Sequence, residues 1–465
     1  MTQILSYCSW CFSKTNHKLN EKNVLRRNTY TCSACSNGTV QCRCCDHMAK
    51  GQPSEQTLAQ MKLGGFKKLS QSWDNELCAE HDGAIASFEK LSMQLDDITD
   101  YEKIFERDVL NLAKAGKYVG FSAAGIVSVA SLIATGGSSS PAVAAAMGKL
   151  GLLGAASTGA AISSLSGAAL TSASLAAIGG SMATGTAIIS ASGLALGGAL
   201  GGAVANKYHG EDKSFAITKL RERPSEAKTI FINGFTQKDE KDFFDWQAGQ
   251  LAFDSTQTMY SVNWDSKNNA DLGAAFAMGV GNPAAKSVLM ALAAAGGKQA
   301  AKKLTPLAYL ALLPGIISNP WHGAMVRAAQ TGVKVAEAIS RTQGQKFNLV
   351  GHSLGCRVIY YALEALGTKA DTYINDVILL GGAVGRDDDA GWLKAASAVD
   401  GKIYNCHSKQ DMVLSRVYKI ANAGLSGPIG INPIKLDSPK IENINCDDFV
   451  ESHMTWKKHY KKYWA

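Results

Sequence analysis

The run Gly351-His352-Ser353-Leu354-Gly355 fits G-x-S-x-G, a pattern that seats a serine on a sharp turn between a strand and a helix. A serine hydroxyl is a poor nucleophile near neutral pH, so acyl transfer at Ser353 needs a base and an acid that orients the base. In that architecture the chain order is serine, carboxylate, histidine. Asp411, behind the turn His407-Ser408-Lys409-Gln410, and His453, 42 residues further on, satisfy the order. Asp387, Asp388 and Asp389 compete for the acid's place and read as a solvated loop. His407 precedes Asp411 and falls out of order, His352 reads as a packing or oxyanion neighbour, and His459 lies in a basic, aromatic tail. Developing negative charge on the acyl oxygen calls for two backbone N–H donors. Leu354, next after the serine, would supply one, and the turn Gly234-Phe235 after an apolar run would supply the other.

A second group of reactive side chains crowds the amino-terminal end. Eight of the eleven cysteines fall within the first 78 residues. Cys8/Cys11, Cys32/Cys35, Cys42/Cys45 and Cys78/His81 each leave two residues between ligands, the spacing that lets both reach one ion. Four such knuckles supply two tetrahedral sulfur/nitrogen sites for structural zinc. Sequential and cross-braced pairing both satisfy the spacing, and Cys44 and His47 are rival ligands. No basic, apolar, small-residue leader opens the chain, which reads as lacking a signal peptide, its thiols reduced and metal-held rather than disulfide-bonded. The stretch from Arg26-Arg27-Asn28-Thr29-Tyr30-Thr31 to Cys35, followed by Cys42 and Cys45, resembles the centre of the FYVE zinc fingers, and the resemblance implies a cross-braced module. The histidines of that family's phosphoinositide-binding motif are missing here.

These residues must be positioned by several domains, since 465 residues exceed one ordinary core. Charge divides the chain into a zinc module (1–85), a helical linker (86–117), a Gly/Ala/Ser-rich stretch (118–206) and a carboxyl-terminal domain (207–465). Between Tyr118 and Asn206 the single charged residue is Lys149, and Gly193, Gly197 and Gly201 recur at every fourth position. That pattern predicts transmembrane or membrane-inserting helices packed through small residues. Beyond Lys207, apolar runs at Thr229 to Asn233, Thr258 to Trp264, Phe347 to Val350, Asp376 to Leu380, Lys402 to Asn405 and Ile441 to Asn445 alternate with helical patterns. Such alternation predicts a mainly parallel, buried sheet, with an Ala-rich helical cap inserted at 271–320. The tail from Trp456 to Trp464 mixes aromatics with four lysines and reads as a packed terminal helix or an interfacial anchor. A net charge of +8, without a Lys/Arg-rich block, speaks against nucleic acid as a partner.

The runs Ile230 to Phe235, Asn319-Pro320-Trp321, Asn348 to Ile359, Val377 to Gly381, Tyr404 to Leu414 and Glu451-Ser452-His453 are similar to those of the transmembrane-and-coiled-coil-domain proteins, membrane-associated α/β hydrolases. The resemblance implies an α/β-hydrolase fold with Ser353, Asp411 and His453 as its triad. The resulting expectation is a membrane-associated, cytoplasm-facing serine hydrolase, a lipase or phospholipase whose partners are a bilayer and its lipid esters. The zinc module is left free to bind a protein. Two rivals are a membrane-perturbing, toxin-like effector and a trafficking scaffold with a vestigial site.

Overall fold

The computed structural model describes residues 3–24, 27–56, 76–81, 85–106, 212, 214–224, 227–234, 246, 257–264, 320–415, 427–453 and 455–457. The stretch from Tyr118 to Asn206 and the cap at 271–319 lie outside them.

The amino-terminal module is a five-stranded antiparallel sheet, β1 Gln3–Tyr7, β2 Lys14–Glu21, β3 Thr29–Cys32, β4 Gly38–Gln41 and β5 Met48–Lys50, paired in chain order. In such a meander, the turns β1–β2 and β3–β4 fall at one end and β4–β5 at the other. This ordering places the first two knuckles together and the third away from them. Phe12, Ile85 and Phe88 pack with Cys42, Cys78 and Ala79 into a core of its own.

The larger sheet has seven strands: β6 Ala216–Arg221, β7 Ala227–Ile232, β8 Thr258–Asn263, β9 Lys346–His352, β10 Ile374–Leu380, β11 Ile403–His407 and β12 Ile441–Asn445. Their order is β12-β11-β10-β9-β7-β8-β6. All pairs are parallel except β6 with β8 at the edge. Helices α1 Pro320–Arg341, α2 Leu354–Leu366 and α3 Asp389–Ser397 accompany it. Val333 and Ile339 of α1 and Val358, Ile359 and Leu363 of α2 join Ile230, Ile232 and Leu349 in one buried cluster. Each such side chain contributes about 1.5–3 kcal/mol on burial.

Residues 93–105, read from sequence as part of a linker, lie against this sheet. Leu95 exchanges backbone bonds with the end of α1, its N–H donating to Arg341 O at 2.7 Å and its carbonyl accepting from Gln343 at 3.0 Å. Leu95, Ile98, Tyr101, Ile104 and Phe105 enter the same apolar cluster. Asp97 accepts from Tyr260 Oη at 2.9 Å and pairs with Lys219 Nζ at 3.0 Å.

The expected α/β-hydrolase fold carrying a membrane-helix segment is therefore corrected to a mixed α/β fold with an open sheet and two Cys/His clusters. Among the described residues no helix is long and apolar enough to cross a membrane. Helix α1 has the length, at 22 residues, but carries Arg327, Lys334, Glu337 and Arg341. The expectations of a transmembrane helix and of a membrane localisation built on it fall with this finding. They drew on the absence of charge, whereas Gly, Ala and Ser gain little on leaving water.

Candidate active site and metal centres

Strand β9 ends at His352 and α2 begins at Leu354, so the reversal between them falls on Ser353, with φ 58° and ψ −121°. A non-glycine residue in that region costs about 1–3 kcal/mol and persists where its surroundings hold it. Here Ser353 N–H donates to Leu380 O at 3.1 Å, and its carbonyl accepts from Ala383 at 3.0 Å and Cys356 at 3.2 Å. The start of α2 presses on the end of β7: a Cβ on Gly355 would lie 2.0 Å from Ile232 O, and one on Gly234 would lie 2.4 Å from Leu354 N. Strands β7 and β9 are neighbours whose connections leave in opposite directions. Their carboxyl ends therefore border the crevice where open parallel sheets take ligands.

Two further loops converge on the serine. His453 Nε2 lies 2.9 Å from Ser353 Oγ, and His453 Nδ1 lies 2.7 Å from Asp411 Oδ2. All three side chains are buried. Asp411 also accepts from Leu414 N at 3.0 Å and from the Trp456 indole at 2.9 Å. Burial pushes the Asp411 carboxyl upward, but the adjoining His453 charge and these hydrogen bonds outweigh it and hold it below the usual range. An ionised carboxylate only accepts, so His453 Nδ1 carries a proton, and in the neutral ring Nε2 is then the nitrogen free to accept from the Ser353 hydroxyl. Asp447, just after β12, accepts from Ser408 Oγ and Lys409 N, binding the turn that carries Asp411 to the segment leading to His453. The arrangement can draw a proton from Ser353 as its oxygen attacks an electrophile. Leu354, first in α2, has an amide with no intrahelical acceptor. Of the expected second donor, the turn Gly234-Phe235, Gly234 lies against the Leu354 backbone and Phe235 is outside the described residues.

The knuckles gather into two clusters, Cys8, Cys11, Cys32 and Cys35 in one and Cys42, Cys45, Cys78 and His81 in the other, with ligand atoms within 4.8 Å of one another. Pairing is thus sequential, and the cross-bracing implied by the FYVE resemblance is corrected by the meander. Separations of 4.0 Å for Cys8–Cys35, 3.8 Å for Cys11–Cys32 and 3.6 Å for Cys45–Cys78 bracket the edge of about 3.8 Å of a tetrahedron of 2.3 Å zinc–sulfur bonds. His81 Nδ1 stands 3.2–3.7 Å from its three sulfurs. Amides of Trp10, Cys44, His47 and Cys78 and the Asn37 side chain donate to the sulfurs, as suits thiolates. Each cluster could therefore coordinate a metal ion. The rivals are turned elsewhere: His47 meets Ser6 Oγ and lies edge-on to Tyr7 and Phe88, and Cys44 is absent from both clusters.

Residues 180–464 match the model of the DUF726 family, proteins of unknown function. The chain belongs to that family. It is 29% identical over 276 residues to the uncharacterized membrane protein F35D11.3 of Caenorhabditis elegans, covering 56% of this chain and 43% of that one. Similarity to the transmembrane and coiled-coil domain-containing protein STS1 of Oryza sativa subsp. japonica is 29% over 277 residues, 56% of this chain and 39% of the relative. With the probable lipase MIL1 of Saccharomyces cerevisiae, identity is 36% over 157 residues, 33% of this chain and 14% of the relative. The chain spans less than half the length of these curated relatives.

In this DUF726 chain two of the three competing acids are occupied, and the third, Asp389, opens α3. Asp388 caps α3 through Gly391 N and accepts from Tyr360 Oη, while Asp387 pairs with Lys435 and Arg386. His407 closes β11, and His459 lies outside the described residues. His352 is buried with Nε2 2.9 Å from the His453 carbonyl. Trp456 is the residue that sequence reasoning missed: its ring is buried against Gly381, not spread at an interface. Lys457 is buried beside it, its amine 5.3 Å from the centroid of the Trp246 ring. No sequence signal beyond nearness to His453 separates this tryptophan from the rest of the tail.

Proposed function

We propose that this protein is a serine hydrolase that cleaves carboxylic esters of lipids. The observation that carries the reading is the unbroken relay from Asp411 through His453 to Ser353, spanning 2.7 and 2.9 Å at the crevice between β7 and β9. Ser353 attacks the acyl carbonyl while His453 takes its proton and passes it to the departing alcohol. Asp411 keeps the imidazole in the required tautomer and offsets its charge when protonated. Water, activated by the same histidine, then releases the acid. The amide of Leu354, joined by a backbone N–H from Gly234-Phe235, receives the charge on the acyl oxygen. The lipid substrate class draws on the 157-residue likeness to a probable lipase.

Each Cys/His cluster, on this reading, holds one structural zinc ion. Cys8, Cys11, Cys32 and Cys35 would hold the first, and Cys42, Cys45, Cys78 and His81 the second. The ion supplies cross-linking of short polar strands and no part of the ester chemistry.

The test combines fluorophosphonate labelling of wild type and Ser353→Ala with mass spectrometry of acyl products from mixed phospholipid and triacylglycerol micelles. Labelling and fatty-acid release that both disappear in Ser353→Ala are expected. Acyl release that survives the substitution would refute a serine mechanism, and labelling without release from any lipid would refute the substrate class.

A further inference from the structure

The relay's histidine sits on an irregular segment after the last strand, with no helix or ladder to fix it. Two buried side chains hold it, one by its backbone and one by its carboxylate partner. His352, the last residue of β9, has Nε2 2.9 Å from the main-chain carbonyl of His453, and the two imidazoles lie 4.7 Å apart. Trp456, three residues past His453, donates its indole N–H to Asp411 Oδ2, the oxygen that also meets His453 Nδ1. Gly381 leaves room for that indole, because a Cβ there would lie 2.5 Å from Trp456 Nε1. A carbonyl acceptor requires His352 Nε2 to carry the proton. Burial, the nearby His453 and Lys457 all push the His352 pKa well down, so the ring stays neutral as a fixed donor.

We propose that His352 and Trp456 are positioning residues of the hydrolase site, a two-point brace that sets the backbone and the carboxylate partner of His453. The inference rests on the serine-hydrolase reading. His352 has no path to a reacting atom in this role. It holds the carbonyl of His453, so that the imidazole keeps its height above Ser353 Oγ. Trp456 divides the Asp411 charge between two donors. Removing the indole N–H concentrates that charge on His453, stabilises the imidazolium and moves loss of the base to higher pH. Titratable or charged side chains near His453 among the described residues include Asp411 from the turn after β11 and His352 from β9, and Lys457 stands near enough to His352 to help push its pKa down.

The experiment uses the full chain and two probes, a fluorophosphonate and p-nitrophenyl butyrate, with kcat and KM measured across pH. His352→Leu should slow labelling about 10- to 100-fold with KM unchanged, the scale expected when a catalytic group is displaced by about an ångström. His352→Gln, which can return an N–H near the same place, should recover most of the rate. Trp456→Phe keeps an aromatic ring without the donor. It should lower kcat several-fold and raise the acid limb of the pH profile by about half a unit, whereas a merely structural loss would leave that limb in place. If His352→Leu fails to fold, Trp456→Phe still decides the matter through the pH limb. Equal impairment by Gln and Leu, or Trp456→Phe with an unmoved acid limb, overturns the brace while leaving the hydrolase reading standing. Wild type that neither labels nor turns over the ester overturns both.

Discussion

The zinc-type module and the serine site both hold reactive side chains in place, by opposite means. In the module the geometry is local. The knuckles starting at Cys8 and Cys32 close by the same pair of bonds, Phe12 N to Cys8 O and Ser36 N to Cys32 O, then Cys8 N to Ser13 O and Cys32 N to Asn37 O. Phe12 and Ser36 even share a positive φ, 60° and 59°. The serine site has no local geometry of this kind beyond the turn at Ser353, because its members come from loops after β9, β11 and β12, with Ser353 and His453 100 residues apart. One region owes its order to ligands close in sequence and the ion they could share, the other to the apolar core beneath a sheet. Disturbing either should therefore leave the other largely intact.

The largest expected effect is on the module. Structural zinc contributes about 10–16 kcal/mol in small finger peptides. Chelation of the full chain should remove two zinc ions by elemental mass spectrometry and expose residues 3–56 to protease, while fluorophosphonate labelling of Ser353 persists. A module that stays protected with no metal bound would undo the contrast. Next in size is Ser353→Ala, which should cut ester turnover by several orders of magnitude, about 10⁴ to 10⁶, with zinc content and melting unchanged. Turnover within tenfold of wild type would mean that the relay is not the working site.

Gly355→Ala sharpens the comparison, because it attacks the one place where the serine site is locally determined. The added methyl would meet the backbone carbonyl Ile232 O at 2.0 Å, and neither the helix start that carries it nor the strand end it meets can yield cheaply. We expect a loss of about 3 kcal/mol, in the upper range for overpacking, with labelling reduced and the module undisturbed. A wild-type melting temperature would show that α2 can lift away from β7 without cost.

The same contrast explains what could be read from sequence. The six runs from Thr229 onward appear as strands β7 to β12, most plainly in β8, β9 and β10, whose buried faces need nearly continuous apolar residues, whereas β12, Ile-Glu-Asn-Ile-Asn at one edge, is only half-buried at its two isoleucines. Strand β6, Ala-Ile-Thr-Lys-Leu-Arg, is an antiparallel edge and carries no such run. Strand β2, Lys-Thr-Asn-His-Lys-Leu-Asn-Glu, is mostly polar, so the meander that decides knuckle pairing was invisible. Ser353, Asp411 and His453 could be proposed from order and strand ends. Trp456 could not, because a tryptophan beside lysines reads the same on a membrane surface as in a core. The expectation of membrane helices fell on residues 118–206, outside the described ones, and it rested on lack of charge, a weaker demand than high hydropathy.

The smallest expected effect lies at the joint between the two regions, where Asp97 anchors the chain leaving the module to strands β6 and β8. Burial pushes its carboxyl upward, but bonds from the Thr99 amide and hydroxyl, Lys219 and Tyr260 pull harder and bring it down to about 2. An unfolded aspartate titrates near 3.9, so the native form holds its proton less tightly. The stabilisation is therefore fully present above pH ~4 and disappears as pH falls toward ~2. A shift of this size corresponds to roughly 2.5 kcal/mol, reduced to about 1–2 because Lys219 and Asp97 remain about a quarter exposed. Asp97→Asn should speed hydrogen exchange of residues 93–105 about 5- to 30-fold at pH 7, relative to the intrinsic rate, with Ser353 labelling and zinc content unchanged. The gap between variant and wild type should narrow steadily from pH 4 to pH 2.5. A gap that stays constant over that window would assign the role of Asp97 to shape and neutral hydrogen bonds. A gap that closes would make ionised Asp97 the pin that lets the module and the sheet share one chain while standing on separate foundations.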